Sequence, residues 1–547
     1  MKYRGDTPTS TFVLAVLLTG FTAPAGTWVG QSAAAEFSFE RFEVVTGPAK
    51  RQTVLTGFLL GGPVAELAVL TIDDSGDRLL RIYAFRDGAW APGLEATLGP
   101  EVDFVDVAEI GGRDRLVTFA PGRLGWFDPE SGTERPLVAA SSNFVPPRTT
   151  EIPHVDVTHD VNGDGRDDLA VPDVDGFQVF IQTEGGAFAD PVEVGRSTDM
   201  SRILGADGYR FDPWSQGRVH EVDYDGDGRR DLVFWNGDRF TVHLQDQRGL
   251  FPPDAETFAA GVAFDSDDLS SLAAGDMAGR VLHSLADLNG DGVADLVVFS
   301  LEGRNMSGKR SAFEVHFGAR TPAGGTVFAP EAGARIESDG SIQLGMDRHD
   351  FDGDGRVGLM FTTIETRFLE SSLWKRIKGF MGDDVVLKLE FYRTGDGSFP
   401  DGPGAIRSIA LDGAPSHREP GWVPLDILLR GGTHESRMTQ KVWPRAFNRT
   451  LLIGDVTGDG RPDLLIEPEF RELHVYAGVP GAGLFAQKPR RVEVSLHDGE
   501  YAWLADLDRD GRQDIIVHQP FNLRDVHGAR KLPLGTEPHR VTVLMAR

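Results

Sequence analysis

The stretch Asp287-Leu-Asn-Gly-Asp-Gly-Val-Ala-Asp-Leu-Val-Val-Phe299 is the most informative part of the sequence, because it runs from an acidic loop directly into a short apolar strand. Five further stretches have the same sequence pattern. Each has oxygen-bearing side chains at positions 1, 3 and 5, glycine at position 6 and, with one exception, aspartate at position 9. They begin at Asp160, Asp223, Asp350, Asp455 and Asp506. A loop-and-strand unit that recurs in this way predicts a repeat architecture.

The repeated unit continues in the same way after each loop. The first four loops begin about 64 residues apart, a spacing that suits a unit of four short strands. An apolar strand such as residues 232–235 is followed by an alternating strand such as residues 240–244 and a Gly-x-Phe turn such as Gly249 to Phe251. Residues 57–70 and 105–119 match these strands but have lost the acids. We therefore predict an all-β β-propeller of eight blades, with seven as the alternative and four antiparallel strands in each blade.

The two ends of the repeat array are incomplete in complementary ways. Residues 37–45 read as a strand with no inner strand before it, and residues 541–545 read as a strand with no outer strand after it. We predict that these two strands pair in one blade and close the ring, which removes an exposed sheet edge.

One unit is oversized, and we predict an insertion at about residues 365–445. Residues 366–380 have helical periodicity, with Leu369, Leu373 and Ile377 on one face. Residues 413–445 are irregular and rich in proline. The helix either packs on the rim of a blade or serves as a partner-binding or lid element.

The acidic loops have the ligand pattern of a calcium site. Side-chain oxygens at positions 1, 3 and 5, a carbonyl at position 7 and an acid at position 9 can surround a hard cation, and the glycine at position 6 allows the sharp turn. An EF-hand is excluded because a strand follows and position 12 is not glutamate. We predict Ca²⁺ as the cofactor, about five or six ions with one in each intact loop. The predicted ligands are Asp160, Asn162, Asp164, Arg166 and Asp168; Asp223, Asp225, Asp227, Arg229 and Asp231; Asp287, Asn289, Asp291, Val293 and Asp295; Asp350, Asp352, Asp354 and Arg356; Asp455, Thr457, Asp459, Arg461 and Asp463; and Asp506, Asp508, Asp510, Arg512 and Asp514.

The six loops differ in charge. The loops that begin at Asp223 and Asp506 offer four carboxylates each, and we expect them to bind calcium most tightly. Gly358 removes the ligand at position 9 from the fourth loop, which predicts a weak site. A neutral oxygen replaces one carboxylate at position 3 of the other three loops, in Asn162, Asn289 and Thr457.

The D-x-[DN]-x-D-G-x-x-D spelling, repeated in register, resembles the FG-GAP/VCBS family, a calcium-binding propeller repeat also found in the head of integrin α subunits. The resemblance covers nearly all of residues 36–547. It implies a β-propeller with Ca²⁺ in hairpin loops along one face and ligand roles at positions 1, 3, 5, 7 and 9, and it does not determine the activity. Gly358 and the first two units depart from the pattern, so calcium is not implied in those two units.

The N-terminal residues predict export. Lys2 and Arg4 precede an apolar run over residues 12–21, and small residues end at Ala35. We predict a signal peptide over residues 1–35, a single propeller over residues 36–547, and a secreted, periplasmic or cell-surface location. The apolar run is too short for a membrane span.

Composition limits the partners. Lys and Arg number 55 against 83 Asp and Glu, which gives a formal net charge of −28 and disfavours nucleic acid. The absence of cysteine excludes disulfides and thiolate metal sites. We expect a monomer with an unidentified protein or glycan ligand.

Several common catalytic motifs are missing from the sequence. It contains no Gly-x-Ser-x-Gly elbow, phosphate-binding glycine loop or His-Glu-x-x-His. Histidines do precede several loops, and these could either meet at the axis as catalysts or serve as polar side chains at blade ends. We assign no catalytic residue and predict a binding or adhesion module. The alternatives are a calcium-dependent polysaccharide lyase or hydrolase and a structural envelope component. The histidines are His159, His220, His283 and His349.

Overall fold

Eight antiparallel sheets succeed one another along the chain in the computed structural model, and each is built around four strands. The prediction of an eight-bladed β-propeller is confirmed. The structure describes residues 37–47, 52–144, 152–195, 210–216, 218–267, 278–303, 309–322, 324–338, 341–365, 385–394, 397–411, 441–442, 450–469, 472–481, 483–494, 501–518 and 539–547.

Blades 1 and 2 are the units that lack an acidic loop. Blade 2 has two extra short strands on its inner edge, where β10 runs parallel to both β6 and β15. The strands of blade 1 are β2 (Thr53–Gly57), β3 (Glu66–Ile72), β4 (Arg78–Arg86) and β5 (Ala89–Leu98), and those of blade 2 are β6 (Phe104–Glu109), β7 (Asp114–Ala120), β8 (Arg123–Asp128), β9 (Thr133–Ala139), β10 (His154–Val155) and β15 (Arg210–Phe211).

Blades 3 and 4 follow, each as a regular antiparallel meander. One helical turn, α1 (Pro213–Gln216), lies between them in the chain. Their strands are β11 (Thr158–His159), β12 (Asp168–Asp173), β13 (Gly176–Phe180) and β14 (Val192–Val194), then β16 (His220–Val222), β17 (Asp231–Trp235), β18 (Phe240–His243) and β19 (Glu256–Phe258).

Blade 5 has an additional hairpin between its third and fourth strands, and blade 6 is a four-stranded meander. The strands of blade 5 are β20 (Gly279–Ala286), β21 (Asp295–Glu302), β22 (Arg310–His316) and β25 (Ala334–Ser338), with the hairpin β23 (Gly318–Arg320) and β24 (Thr326–Phe328); those of blade 6 are β26 (Ser341–His349), β27 (Gly358–Glu365), β28 (Val385–Tyr392) and β29 (Ala405–Leu411).

Blades 7 and 8 complete the ring. The N-terminal strand β1 pairs antiparallel with the C-terminal strand β37, from Phe39 opposite Ala546 to Val44 opposite Val541, and so supplies the outer strand of blade 8. The predicted closure is confirmed. The strands are β30 (Lys441–Val442), β31 (Thr450–Gly454), β32 (Asp463–Glu469), β33 (Glu472–Tyr476) and β34 (Arg490–Glu493) in blade 7, and β35 (Tyr501–Ala505), β36 (Asp514–His518), β37 (His539–Ala546) and β1 (Phe39–Gly47) in blade 8.

The hydrophobic core lies between neighbouring blades. Val297 and Phe299 of blade 5, for example, belong to the same buried cluster as Leu359 and Phe361 of blade 6. A central strand that is covered on both faces needs a continuous apolar run, which explains why each acidic loop leads into one. The ring is therefore held by contacts between successive blades.

The structure describes only part of the range in which we predict an insertion, about residues 365–445. Strands β28 and β29 lie inside that range and belong to blade 6, because both pair in the β26-β27-β28-β29 sheet. The predicted helix at residues 366–380 and nearly all of residues 413–445 lie outside the described part of the chain. Among the helices that the structure describes, none is long and apolar enough to cross a membrane.

Candidate metal centres

The six acidic loops occupy equivalent places in six blades. We use "acidic loops" for residues 160–168, 223–231, 287–295, 350–358, 455–463 and 506–514. Each connects the inner strand of a blade to the next strand, and the residue before position 1 pairs with position 9. Ala286 is opposite Asp295, for example, and His349 is opposite Gly358. Since every inner strand runs in the same direction along the axis, the six loops lie on one face of the ring.

The position-1 carboxylate organises each loop by accepting backbone N–H groups. In the first loop, the N–H of Asp164 donates to Asp160 Oδ1 (2.9 Å) and the N–H of Gly165 donates to Asp160 Oδ2 (3.1 Å). The position-6 glycine donates in the same way in all six loops, at 2.7–3.1 Å. Its φ of 80–88° favours glycine, as the sequence predicted.

The position-5 carboxylate accepts the N–H of position 7 in all six loops, at 2.8–2.9 Å. Where position 7 is arginine, its side chain can also return to position 5. Arg166 pairs with Asp164, Arg229 pairs with Asp227, and Arg461 Nη1 is 3.2 Å from Asp459 Oδ2. The side chains of these position-7 residues therefore balance charge, and their carbonyl oxygens remain the predicted calcium ligands.

The position-9 aspartate has a role that the sequence did not reveal. Asp231 Oδ2 accepts the N–H of Tyr224 in the loop, and Asp231 Oδ1 accepts the N–H of Gln245 after the third strand, both at 2.8 Å. The same two contacts recur in every loop that has this acid. We call this arrangement the position-9 clamp, and its five aspartates are Asp168, Asp231, Asp295, Asp463 and Asp514.

Burial makes the clamp carboxylates costly to ionise. Their exposed fraction is at most 1%. Burial, with a smaller contribution from neighbouring loop carboxylates, raises the pKa of Asp168 and Asp514 to about 7 and that of Asp231, Asp295 and Asp463 to about 6. A cation in the loop would favour the ionised form of each.

Three loops bring carboxylate oxygens within 4.8 Å of one another. These are the three loops that have aspartate at position 3. The groups are Asp223, Asp225 and Asp231; Asp350, Asp352 and Asp354; and Asp506, Asp508 and Asp514.

The donor set of these loops fits a hard divalent cation. Every side-chain donor is an oxygen, which is the ligand that Ca²⁺ prefers. Asp508 Oδ1 is buried and accepts no hydrogen bond. A buried carboxylate oxygen without a donor is unfavourable, and a cation in the loop would satisfy it.

The first two blades keep one acid each, contrary to the expectation that they had lost all of them. Glu66 is opposite Gly57 and Asp114 is opposite Glu109, in the register of position 9. Glu66 Oε2 accepts the N–H of Leu60 at 3.0 Å, and Asp114 Oδ2 accepts the N–H of Phe58 at 2.8 Å. Glutamate in place of aspartate and a shorter loop concealed these two acids from the sequence pattern.

His159 lies in a buried polar cluster. Its Nε2 is 3.9 Å from Asp156 Oδ1 and 4.0 Å from Asp212 Oδ1, and its ring stacks on Trp214 with centroids 5.9 Å apart. All four residues are at most 8% exposed.

The other three histidines have different surroundings. Burial, together with the charges of Arg218 and Arg348, lowers the pKa of both His220 and His283 to about 3. His349 is exposed and contacts the edge of Phe351, with ring centroids 5.6 Å apart. The structure therefore brings His220 and His283 together beside Arg218 and Arg348, and it places His159 and His349 in separate environments.

No sequence profile of a known protein family matches the chain, and no curated protein matches it significantly. Similar solved structures include an Agrocybe aegerita lectin described as recognising non-reducing terminal N-acetylglucosamine, with 15% identity, a TM-score of 0.34, and coverage of 92% of this chain and 98% of the lectin. A Bacillus licheniformis rhamnogalacturonan lyase has 11% identity, a TM-score of 0.28, and coverage of 93% and 75%. The WD40 domain of SCAP from fission yeast has 12% identity, a TM-score of 0.30, and coverage of 93% and 94%.

Proposed function

We propose that the chain is an exported, calcium-stabilised propeller of the FG-GAP/VCBS type that acts as a binding module for a protein or a surface carbohydrate. The observation that carries the proposal is the recurrence of one hydrogen-bonded loop, with all-oxygen donors, at the same place in six blades. Asp and Gly alone could form one polar turn, but six turns with donors at the same positions point to a common ligand.

Calcium would act in two ways in these loops. Bound ions would offset the repulsion among carboxylates whose oxygens lie within 4.8 Å of one another and so stabilise each blade. The ligands at position 5 are partly exposed, with Asp227 at 25% and Asp510 at 35%. An ion held there would remain open to hydroxyl or carboxylate oxygens of a partner, which supports a binding role on this face of the ring.

The test is a binding screen of the purified chain against glycan and surface-protein arrays, in Ca²⁺ and in EDTA. We expect retention of at least one class of ligand that disappears in EDTA, with no turnover of polysaccharides. Asp227→Asn should weaken the calcium-dependent binding. Asp238→Asn, an exposed acid at the other end of the same blade, is the matched control. Binding unaffected by EDTA, or measurable polysaccharide cleavage, would contradict the proposal.

A further inference from the structure

Three acidic loops have an arginine from outside the loop bound to a ligand carboxylate. In each case the guanidinium reaches the Oδ2 atom of an aspartate at position 1 or 3. The pairs are Arg320 Nη2 with Asp223 Oδ2 (3.3 Å), Arg393 Nη2 with Asp352 Oδ2 (2.9 Å) and Arg547 Nη1 with Asp508 Oδ2 (2.7 Å).

These arginines occur where the loop has a carboxylate at position 3. The three loops that have them are those with aspartate at position 3, namely Asp225, Asp352 and Asp508. In the loops with a neutral residue at that position, no cation from outside the loop lies within 4 Å of a ligand carboxylate in the described ranges. Arg230 does approach the first of these loops, but it donates to the carbonyl oxygen of Asp160 (3.2 Å).

The charges of the loops become similar once the arginines are included. If only the carboxylates at positions 1, 3, 5 and 9 and the arginine from outside the loop are counted, without the position-7 arginines, the loops at Asp223 and Asp506 have four carboxylates and one guanidinium. Their sum equals that of the three carboxylates in the loops at Asp160, Asp287 and Asp455. The loop at Asp350 lacks the position-9 acid and keeps its arginine, so it is one charge less negative.

We infer that Arg320, Arg393 and Arg547 are charge-compensating residues that lower the calcium affinity of the loops with aspartate at position 3. This inference rests on the proposed calcium binding. It replaces the sequence-based expectation that four carboxylates bind most tightly, because one of those four charges is already neutralised.

Arg547 shows how compensation leaves the ligand available. It holds Asp508 Oδ2, while Asp508 Oδ1 is the buried oxygen without a hydrogen-bond donor. Removing Arg547 would have two opposing effects on calcium affinity. Freeing one carboxylate rotamer weakens binding about threefold. Removing a positive charge beside a divalent cation strengthens it roughly tenfold or more, so the charge effect wins.

The test follows a single loop by hydrogen–deuterium exchange of the full chain against free Ca²⁺, read on peptides that cover residues 501–518. Arg547→Gln should lower the midpoint calcium concentration about three- to tenfold. Arg547→Lys keeps the charge and should stay within about twofold of the wild type. Peptides covering residues 455–463 serve as the internal reference and should not change.

Three further variants complete the experiment. Arg547 also pairs with Glu40 Oε2 (3.1 Å), so Glu40→Gln removes that ion pair while sparing Asp508 and should leave the midpoint unchanged. Thr457→Asp adds a fourth carboxylate to a loop without an outside arginine, and should lower the midpoint of that loop roughly tenfold. Arg393→Gln, read on peptides that cover residues 350–358, should lower the midpoint of that loop about three- to tenfold and keeps the test decisive if Arg547→Gln does not fold.

The outcomes separate the inference from the proposed function. A midpoint that rises in both Arg547→Gln and Arg547→Lys would show that the arginine positions the ligand, and would overturn the inference alone. An unchanged midpoint in Arg547→Gln would also overturn it. If no wild-type loop gained protection from calcium, both the inference and the proposed function would fail.

Discussion

Blades 1 and 2 form the same four-stranded sheets as blades 3 to 8 without an acidic loop. Blade 1 connects its first two strands through residues 58–65, where Phe58, Leu60 and Gly62 stand at positions 1, 3 and 5. Blade 2 shortens the connection to residues 110–113. Strand pairing therefore does not require acids at positions 1, 3 and 5, and their presence in six other blades calls for a separate explanation.

What all the blades but one share is an acid at position 9. Glu66 and Asp114 keep it in the first two blades, whose connections have no acid at positions 1, 3 and 5. Glu66 accepts an N–H of its own connection, whereas Asp114 accepts the N–H of Phe58 from blade 1. The exception is blade 6, where Gly358 stands at that position. Two roles can therefore be distinguished within one acidic loop: the position-9 aspartate ties the loop to its blade, and the acids at positions 1, 3 and 5 would supply the other side-chain ligands of the proposed ion site.

Calcium removal is expected to have the largest effect on blades 3 to 8. Each site saturated at about 100 times its dissociation constant contributes about 2.7 kcal/mol to the free energy of unfolding. Six such sites predict that EDTA lowers the melting temperature by about 10 °C or more, as measured by scanning calorimetry. Restoring excess Ca²⁺ should recover the original transition. A melting temperature that EDTA leaves unchanged would mean that calcium does not stabilise blades 3 to 8.

Substitutions within one loop should separate the two roles. Asp231→Ala leaves the N–H groups of Tyr224 and Gln245 without an acceptor, so we expect a loss of about 2–4 kcal/mol in the free energy of unfolding. This loss should be present with and without calcium. Denaturant unfolding in Ca²⁺ and in EDTA measures it.

Asp227→Ala is the matched variant in the same loop. Asp227 is partly exposed, so its loss should change stability in EDTA by less than about 0.5 kcal/mol and reduce the stabilisation by calcium. Equal losses in the free energy of unfolding for both variants in EDTA would show that positions 5 and 9 stabilise the fold in the same way.

The ring could be predicted from the sequence because its signals are local and repeated. The repeated acidic pattern, with the apolar run after it, was enough to predict eight blades. The closure of the ring could be predicted from the unpaired strands at residues 37–45 and 541–545. The insertion at about residues 365–445 stays a prediction, because its two segments, residues 366–380 and 413–445, lie almost entirely outside the described residues.

The remaining features of the site depend on contacts between residues far apart in the chain. Arg547 reaches Asp508 only because β37 returns beside β36. The strands β10 and β15 pair over two residues each, too few to leave a periodic pattern. The clamp joins Asp231 to the end of the third strand, which spacing within the loop does not indicate.

Grafting an acidic loop onto blade 1 would test whether the loop alone accounts for the difference between blade 1 and blades 3 to 8. Residues 58–65 have the length of an acidic loop before position 9, and Glu66 already stands in its register. Replacing them with the sequence of residues 223–230, together with Glu66→Asp, should add one bound Ca²⁺ per chain. Calorimetric titration counts the ions. The same graft with asparagine at positions 1, 3 and 5 is the control and should add none.

Acid sensitivity should arise away from the acidic loops. His283 is 6% exposed on β20, and burial beside Arg218, His220 and Arg348 lowers its pKa to about 3. The pKa of an unfolded histidine is about 6.5, so between pH 6.5 and 3 the unfolded chain binds more protons. Stability therefore falls as the pH is lowered through this window, by about 1 kcal/mol at pH 5.5 for this one residue.

His283→Gln isolates this contribution. The loop carboxylates titrate equally in the variant and the wild type, so the difference in their pH dependence belongs to His283. We expect urea unfolding at pH 7.0 and 5.5 to show a drop that is smaller by about 1 kcal/mol in the variant, and equally so in Ca²⁺ and in EDTA. A difference that vanishes when calcium is bound would mean that the acidic loops and the axial strands are coupled, and that the ions stabilise the ring beyond their own blades.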